Sequence, residues 1–151
     1  MIKKTKFLLL FILLTAMACS HKKNNPDALK NEVRAVMMQQ QKFWNQGNIK
    51  GFMKGYLKSD SLRFASGGNV TYGWQTTLDK YLKSYPDKKT MGRLLFSNID
   101  IKMLSDKTAM AFGSWELTRE TDHPHGLFTL IFKKTGCGWR IIHDHTSLAR
   151  E

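Results

Sequence analysis

Apolar positions recur along this chain in two rhythms, and the change from one to the other divides it. Leu29, Val33, Val36, Met37, Gln40 and Trp44 lie three to four residues apart, which puts the set on one helical face. Just ahead stand Asn25 as a cap, Pro26 preset for the first turn and Asp27 as an acid for the positive helix end. Gly47 ends this helix. Asn48 opens a shorter one, in which Ile49, Phe52, Met53 and Tyr56 follow i, i+3, i+4 and i+7. Ser61 to Ala65 reads as a short strand, Ser66-Gly67-Gly68 as its turn and Asn69 to Tyr72 as the return. Leu78, Tyr81, Leu82 and Tyr85 give a third helix one apolar face, and Pro86 stops it.

From Met91 the pattern becomes that of long strands. Met91 to Leu104, Thr108 to Glu120, Gly126 to Lys134 and Gly138 to Leu148 are separated by turns at Ser105 to Lys107, Thr121 to His125 and Thr135 to Cys137. Helices followed by an antiparallel meander predict an α+β fold in which three helices pack on a strongly curved sheet. Such a sheet, bent around a long helix, leaves a wedge-shaped cavity near its open end.

Strand alternation says which side chains enter that cavity. On the last strand Trp139, Ile141, His143 and His145 share one face, while Arg140, Ile142, Asp144 and Thr146 share the other. On the second long strand Ala109, Ala111, Gly113, Trp115 and Leu117 form the inward row, and Arg119 has the same parity.

The first 18 residues follow neither rhythm. A basic leader, Met1 to Lys6, precedes an apolar run, Phe7 to Ala18, that is shorter than the ~20 residues of a spanning helix. This predicts a signal peptide over residues 1–18. Cys19, directly after Ala16-Met17-Ala18, resembles the lipidated cysteine of a bacterial lipobox, and Ser20 after it resembles the outer-membrane sorting pattern. The expectation is lipidation at Cys19, a tether over residues 19–25 and one domain over residues 26–151, held at the periplasmic face of an outer membrane; secretion without lipid is the alternative.

Charge and cysteines narrow this further. The formal charge is +12, and losing Lys3, Lys4 and Lys6 with the leader brings it to +9. The lysines are scattered through every element, which fits a solvated surface better than a nucleic-acid site. With Cys19 assigned to lipid, Cys137 has no disulfide partner, so the core alone must hold the domain.

Among candidate chemical groups Asp144 comes first, because a carboxyl held in an apolar cone has a raised pKa and can act as a general base. Tyr56 and Tyr85 are candidate hydrogen-bond donors to a carbonyl or oxyanion. Trp74, Tyr81, Trp115, Arg119, Phe128, Leu130, Ile142 and Thr146 are expected to line the ligand space. The blander reading of each aromatic is core, and of Asp144 a salt bridge to Arg119 or Arg140 or a hydrogen bond to an aromatic hydroxyl. His123 with His125, and His143 with His145, have a spacing that metal ligands use, but no Cys or carboxylate completes a shell and no metal is expected. No Gly-rich phosphate loop, Ser-His-Asp set or Cys-His pair appears, and no cofactor is expected.

The order of elements, with Phe43-Trp44-Asn45-Gln46-Gly47-Asn48, Tyr72-Gly73-Trp74, Leu127-Phe128-Thr129-Leu130 and Gly138-Trp139-Arg140-Ile141-Ile142-His143-Asp144-His145-Thr146-Ser147, resembles the SnoaL-like branch of the nuclear transport factor 2-like superfamily. The last of these runs is also similar to the final strand of the calcium/calmodulin-dependent protein kinase type II association domain. That second resemblance implies that Tyr56, Tyr85, Ile142, Asp144 and Thr146 face a cavity and that His143 and His145 face outward. The SnoaL-like resemblance implies a homodimer through the open sheet face. Where the kinase association domain's pocket carries arginines, this chain has Leu130, Trp115 and Thr146. Where ketosteroid-isomerase-like members place an acid on the first strand, this chain has Phe64, Ala65 and Ser66. Such a superfamily holds isomerases, dehydratases, cyclases, binding modules and oligomerisation domains. The expectation is a binder of a small, largely apolar molecule; the alternatives are an enzyme using Asp144 as base, or a dimeric interaction module whose pocket does no work.

Overall fold

The computed structural model describes residues 25–149 of the chain. The expected signal peptide, Cys19 and most of the tether lie outside the described residues.

The first helix, α1 (Pro26–Asn45), is capped by the Asn25 side chain, which accepts from the Asp27 backbone N–H at 3.0 Å. It buries Leu29, Val33, Met37, Gln40 and Trp44, the face its spacing predicts. Gly47, at φ +74°, takes the left-handed turn that lets the chain double back. Next come α2 (Ile49–Phe52), a single 3₁₀ turn (Met53–Gly55) and the hairpin β1 (Arg63–Ser66) and β2 (Asn69–Tyr72). Then α3 (Trp74–Ser84) leads into a fourth, short helix, α4 (Lys88–Met91), which the periodicity does not predict. Its cap is Asp87, which accepts from the backbone N–H and hydroxyl of Thr90 at 2.7 and 2.8 Å. The first of the long segments, expected from Met91, therefore begins as a strand only at Arg93, after Gly92.

Strands β3 (Arg93–Ser105), β4 (Thr108–Thr118), β5 (His125–Thr135) and β6 (Gly138–Thr146) form the antiparallel meander. The sheet runs β2-β1-β6-β5-β4-β3. One pairing departs from the expected antiparallel pattern: β1 lies parallel to β6, with Phe64 opposite Asp144 and Ser66 opposite Thr146.

Polar side chains of α1 fix the helix to β3. Asn45 accepts from the Leu94 N–H at 2.7 Å and donates to its carbonyl at 3.0 Å, and Gln41 accepts from the Phe96 N–H at 2.7 Å. A side-chain amide meeting both backbone groups of one strand residue sets register as well as distance. At the other end Trp139 of β6 donates to Glu32 at 2.8 Å. The core between helix and sheet includes Met37, Met53, Leu62, Phe132, Trp139 and Ile141, all essentially inaccessible.

Alternation on β6 breaks once, and the break decides the site. Phe132 pairs with Ile141, but Ile131 pairs with His143, so Ile142 is an extra residue on β6. A bulge of this kind shifts the facing of every side chain beyond it by one position. Before it Trp139 and Ile141 point into the core; after it Asp144 is buried instead. Two sequence expectations are corrected here. Trp139 and Ile141 do not share a face with His143 and His145, and Ile142 does not share the cavity face with Asp144.

Candidate functional site

Between the inner sheet face, α1 and α3 lies a cavity of about 360 Å³. Its walls are mostly rings: Trp44 from α1, Phe52 from α2, Tyr81 from α3, Tyr85 just after it, Phe64 from β1 and Phe128 from β5. The rings lean on each other edge to face. Trp44 meets Tyr85 at 4.8 Å and Phe52 at 5.2 Å between centroids, and Phe64 meets Tyr81 at 5.7 Å. Arrangements of this kind are the favoured aromatic geometry and hold the wall in shape without a ligand.

Asp144 supplies the acid in this wall and is 4 % exposed. Its Oδ2 accepts from the Tyr56 hydroxyl at 2.8 Å, and its Oδ1 from the Thr146 hydroxyl at 2.6 Å. It forms no salt bridge to Arg119 or Arg140 among the described residues, but the other half of that alternative, an acid hydrogen-bonded to an aromatic hydroxyl, is what Tyr56 supplies. Burial penalises the charged form and pushes the carboxyl up to about 6, against the weaker opposing pull of the two hydroxyl bonds. The same burial, reinforced by the charge of Asp144, holds the Tyr56 and Tyr81 phenols well above the ordinary tyrosine range. Tyr85 is raised by burial too, with the Arg119 guanidinium pulling the other way.

Arg119 stands among the lining residues, but its charge is engaged. Its Nε and Nη2 bond both oxygens of Asp122 at 2.6 and 2.7 Å, and its Nη1 donates to the Thr90 carbonyl at 3.3 Å. Trp115 also lines the cavity, its indole donating to the Ser147 carbonyl at 3.0 Å. Gly126 is what lets the Ser147 backbone come so close, because a Cβ there would overlap that carbonyl.

Of the expected site residues, Tyr56, Tyr81, Tyr85, Trp115, Arg119, Phe128, Leu130, Asp144 and Thr146 meet around this one space. Two do not. Ile142 is displaced by the bulge, and Trp74, the first residue of α3, donates to the Met53 carbonyl at 2.9 Å under the Lys58 ammonium, away from the cavity. Sequence reasoning left out Trp44, Phe52, Phe64, Thr77 and Lys80, which also line it. Phe64 was within reach, since alternation along β1 separates it from Arg63 and Ala65.

His143 and His145 point to the outer sheet face, their rings 6.5 Å apart. Arg63 donates from Nε to His143 Nδ1 at 2.9 Å, which makes Nδ1 an acceptor and leaves the proton on Nε2. Partial burial and the Arg63 charge hold this imidazole below its ordinary range. Among the described residues no three His, Cys, Asp or Glu side chains come together in a way that could hold a metal ion. No helix among them is long and apolar enough to cross a membrane.

Helices on a curved six-stranded sheet with a ring-lined hollow and an inward carboxyl define a cone-type α+β architecture with an open cavity. The SnoaL-like domain family matches residues 33–151, and the chain belongs to that family. Among solved structures, an NTF-2 like protein of unknown function from Shewanella oneidensis MR-1 is 39 % identical, with a TM-score of 0.76 over 78 % of this chain and 98 % of that one. A protein named as a calcium/calmodulin dependent protein kinase II association domain, from Xanthomonas campestris, is 16 % identical with a TM-score of 0.64, covering 80 % of this chain and 87 % of that one. A ketosteroid isomerase-like protein from Erwinia carotovora is 15 % identical with a TM-score of 0.64, covering 80 % and 96 %. At such identities the last two speak for the fold alone. No curated protein matches the chain.

Proposed function

We propose that this domain binds a small, largely apolar molecule in its cavity, and that it does so as an exported lipoprotein anchored through Cys19 at the periplasmic face of an outer membrane. The observation that carries the binding reading is the cavity itself. About 360 Å³ stays open behind a mainly aromatic wall, with one buried carboxyl in that wall. Apolar walls with few polar groups are what small-ligand sites are made of. The anchoring reading rests on residues 1–20 of the sequence. A second copy is the expected partner on the outer sheet face, where Val70, Tyr72, Phe112 and Leu127 are exposed.

Thermal-shift screening against neutral lipophilic carbonyl compounds tests the binding reading. Compounds that fill the space raise the melting temperature by mass action. If none of a broad set does, the cavity has no binding role and an interaction module remains.

Asp144 favours a second reading, an isomerase, dehydratase or cyclase with this residue as general base. A carboxyl at about 6 is matched to proton transfer near neutral pH. It reaches the cavity from β6, directly opposite Phe64 on β1. For an enzyme, Asp144→Asn abolishes turnover of a compound found by the screen while its affinity survives. For a binder, affinity is all that changes.

A further inference from the structure

Asp144 and the rings around it also say what kind of ligand fits. We propose that the cavity takes an organic monocation: a primary or secondary ammonium on an aryl or alkyl body, its nitrogen against Asp144 and its apolar part among the rings. The inference rests on the binding reading above and gives it a chemical class.

Three observations carry it. The first is an uncompensated charge. Asp144 accepts from two neutral hydroxyls and from no cation among the described residues, so its negative charge has no counterion inside the wall. Two hydroxyl bonds leave each carboxylate oxygen with a free lone pair, and an ammonium has the donors to use them. A buried charge of this sort is costly alone and favourable once paired.

The second is the wall. Trp44, Phe52, Phe64, Tyr81 and Tyr85 surround the approach to Asp144, and ring faces attract cations, more so where water is excluded. At the outer rim of this wall, on the exposed face of α3, the Lys80 ammonium lies 5.6 Å from the centroid of Phe64.

The third is the mouth. Lys80 carries a positive charge there, and Arg119 is satisfied by Asp122. Lys80 disfavours a second ammonium on the outer end of the ligand, which separates a monoamine from a polyamine. An anionic ligand finds Asp144 opposing it at depth.

Phenethylamine, 2-phenylethanol and 3-phenylpropanoate share a shape and differ in charge, so calorimetric titration of all three tests the proposal. At pH 7.5 the amine is expected to bind at least tenfold more tightly than the alcohol, and the acid most weakly. The preference of amine over alcohol should shrink to under threefold in Asp144→Asn. The unaltered protein offers a check that does not depend on that variant folding: the preference should fall away between pH 7.5 and pH 5 as Asp144 takes up a proton. Tyr56, Tyr81 and Tyr85 line the space with Asp144, and their raised phenols stay protonated throughout; Lys80 and Arg119 stand at the mouth. His143 and His145 flank Asp144 on β6 and face outward, so His145→Gln must leave the pH profile in place. Equal binding of alcohol and amine, tighter binding of the acid, or no binding of the amine overturns the proposal. Neutral carbonyl compounds that still raise the melting temperature then show that the cavity reading survives without it.

Discussion

Tyr56 and Asp144 lie 88 positions apart in sequence and meet through a 2.8 Å hydrogen bond inside the wall of the cavity. That bond joins the end of the helical half to the last strand, and it stabilises the ionised carboxyl against the burial that opposes it. Tyr56→Phe removes the donor and keeps the ring. The Asp144 pKa is expected to rise above about 6, read by NMR titration of its side-chain carboxyl. At pH 8 stability should fall by ~1–3 kcal/mol, the cost of leaving a buried acceptor short of a partner. A pKa that stays put or drops would show that Tyr56 does not govern this group.

Asp144 also makes stability depend on pH in a direction opposite to that of a salt-bridged acid. Its folded pKa is raised from 3.8 to about 6, so the folded state binds the proton more tightly than the unfolded chain does. Its contribution to stability is full below pH 3.8 and is lost as pH rises through 6, by roughly 3 kcal/mol for a shift of about two units. Asp144→Asn cannot titrate, so the difference in unfolding free energy between the two proteins should move by that order between pH 4 and pH 8, in favour of the variant at pH 8. Urea unfolding at both values measures it, and parallel pH profiles would contradict the burial of the carboxyl.

Ile141 and Ile142 are neighbours with opposite fates. Ile141 is wholly buried, and Ile142 is the extra residue of the bulge, partly open to solvent. Ile141→Ala is expected to cost ~2–5 kcal/mol and Ile142→Ala about 1 kcal/mol or less. Denaturant midpoints of the two variants decide it; a reversed order would mean that Ile142 rather than Ile141 enters the core and that Asp144 follows it inward by plain alternation, without a bulge.

Gly126 faces the Ser147 carbonyl so closely that a methyl group there displaces the backbone beside it. Gly126→Ala should cost about 1–3 kcal/mol, the range for overpacking. It should also break the Trp115 bond to Ser147, seen as a change in indole fluorescence or in the Trp115 Nε1 proton shift.

The helices were the most legible part of the chain, because one residue type per face is enough to see a period. Leu29, Val33, Met37, Gln40 and Trp44 are the buried face of α1 as their spacing predicts. Strand positions were legible, but strand faces only up to Ile142. Alternation is a local rule, and a bulge arises from how two strands pair, which no single strand records. The parallel contact of β1 with β6 is unreadable for the same reason, joining segments some 80 residues apart. The chemistry of Trp74 predicts a place in the ligand space, yet it opens α3 partly buried against the core, its indole N–H donating to the Met53 carbonyl away from the cavity. Lys80 gave no signal at all, since a lysine on an exposed helix looks the same whether or not its stem borders a hollow.

The parallel seam between β1 and β6 also orders events in time. Residues 63–66 leave a ribosome or a translocation channel long before residues 143–146, and until the later segment arrives their edge waits unpaired. The hairpin and helices can assemble early, but the piece bearing Asp144 is delivered last, so the cavity is among the final parts to close. Contacts between distant segments of this kind slow folding and leave an open strand edge in the meantime, a risk for any chain threaded across a membrane before it folds.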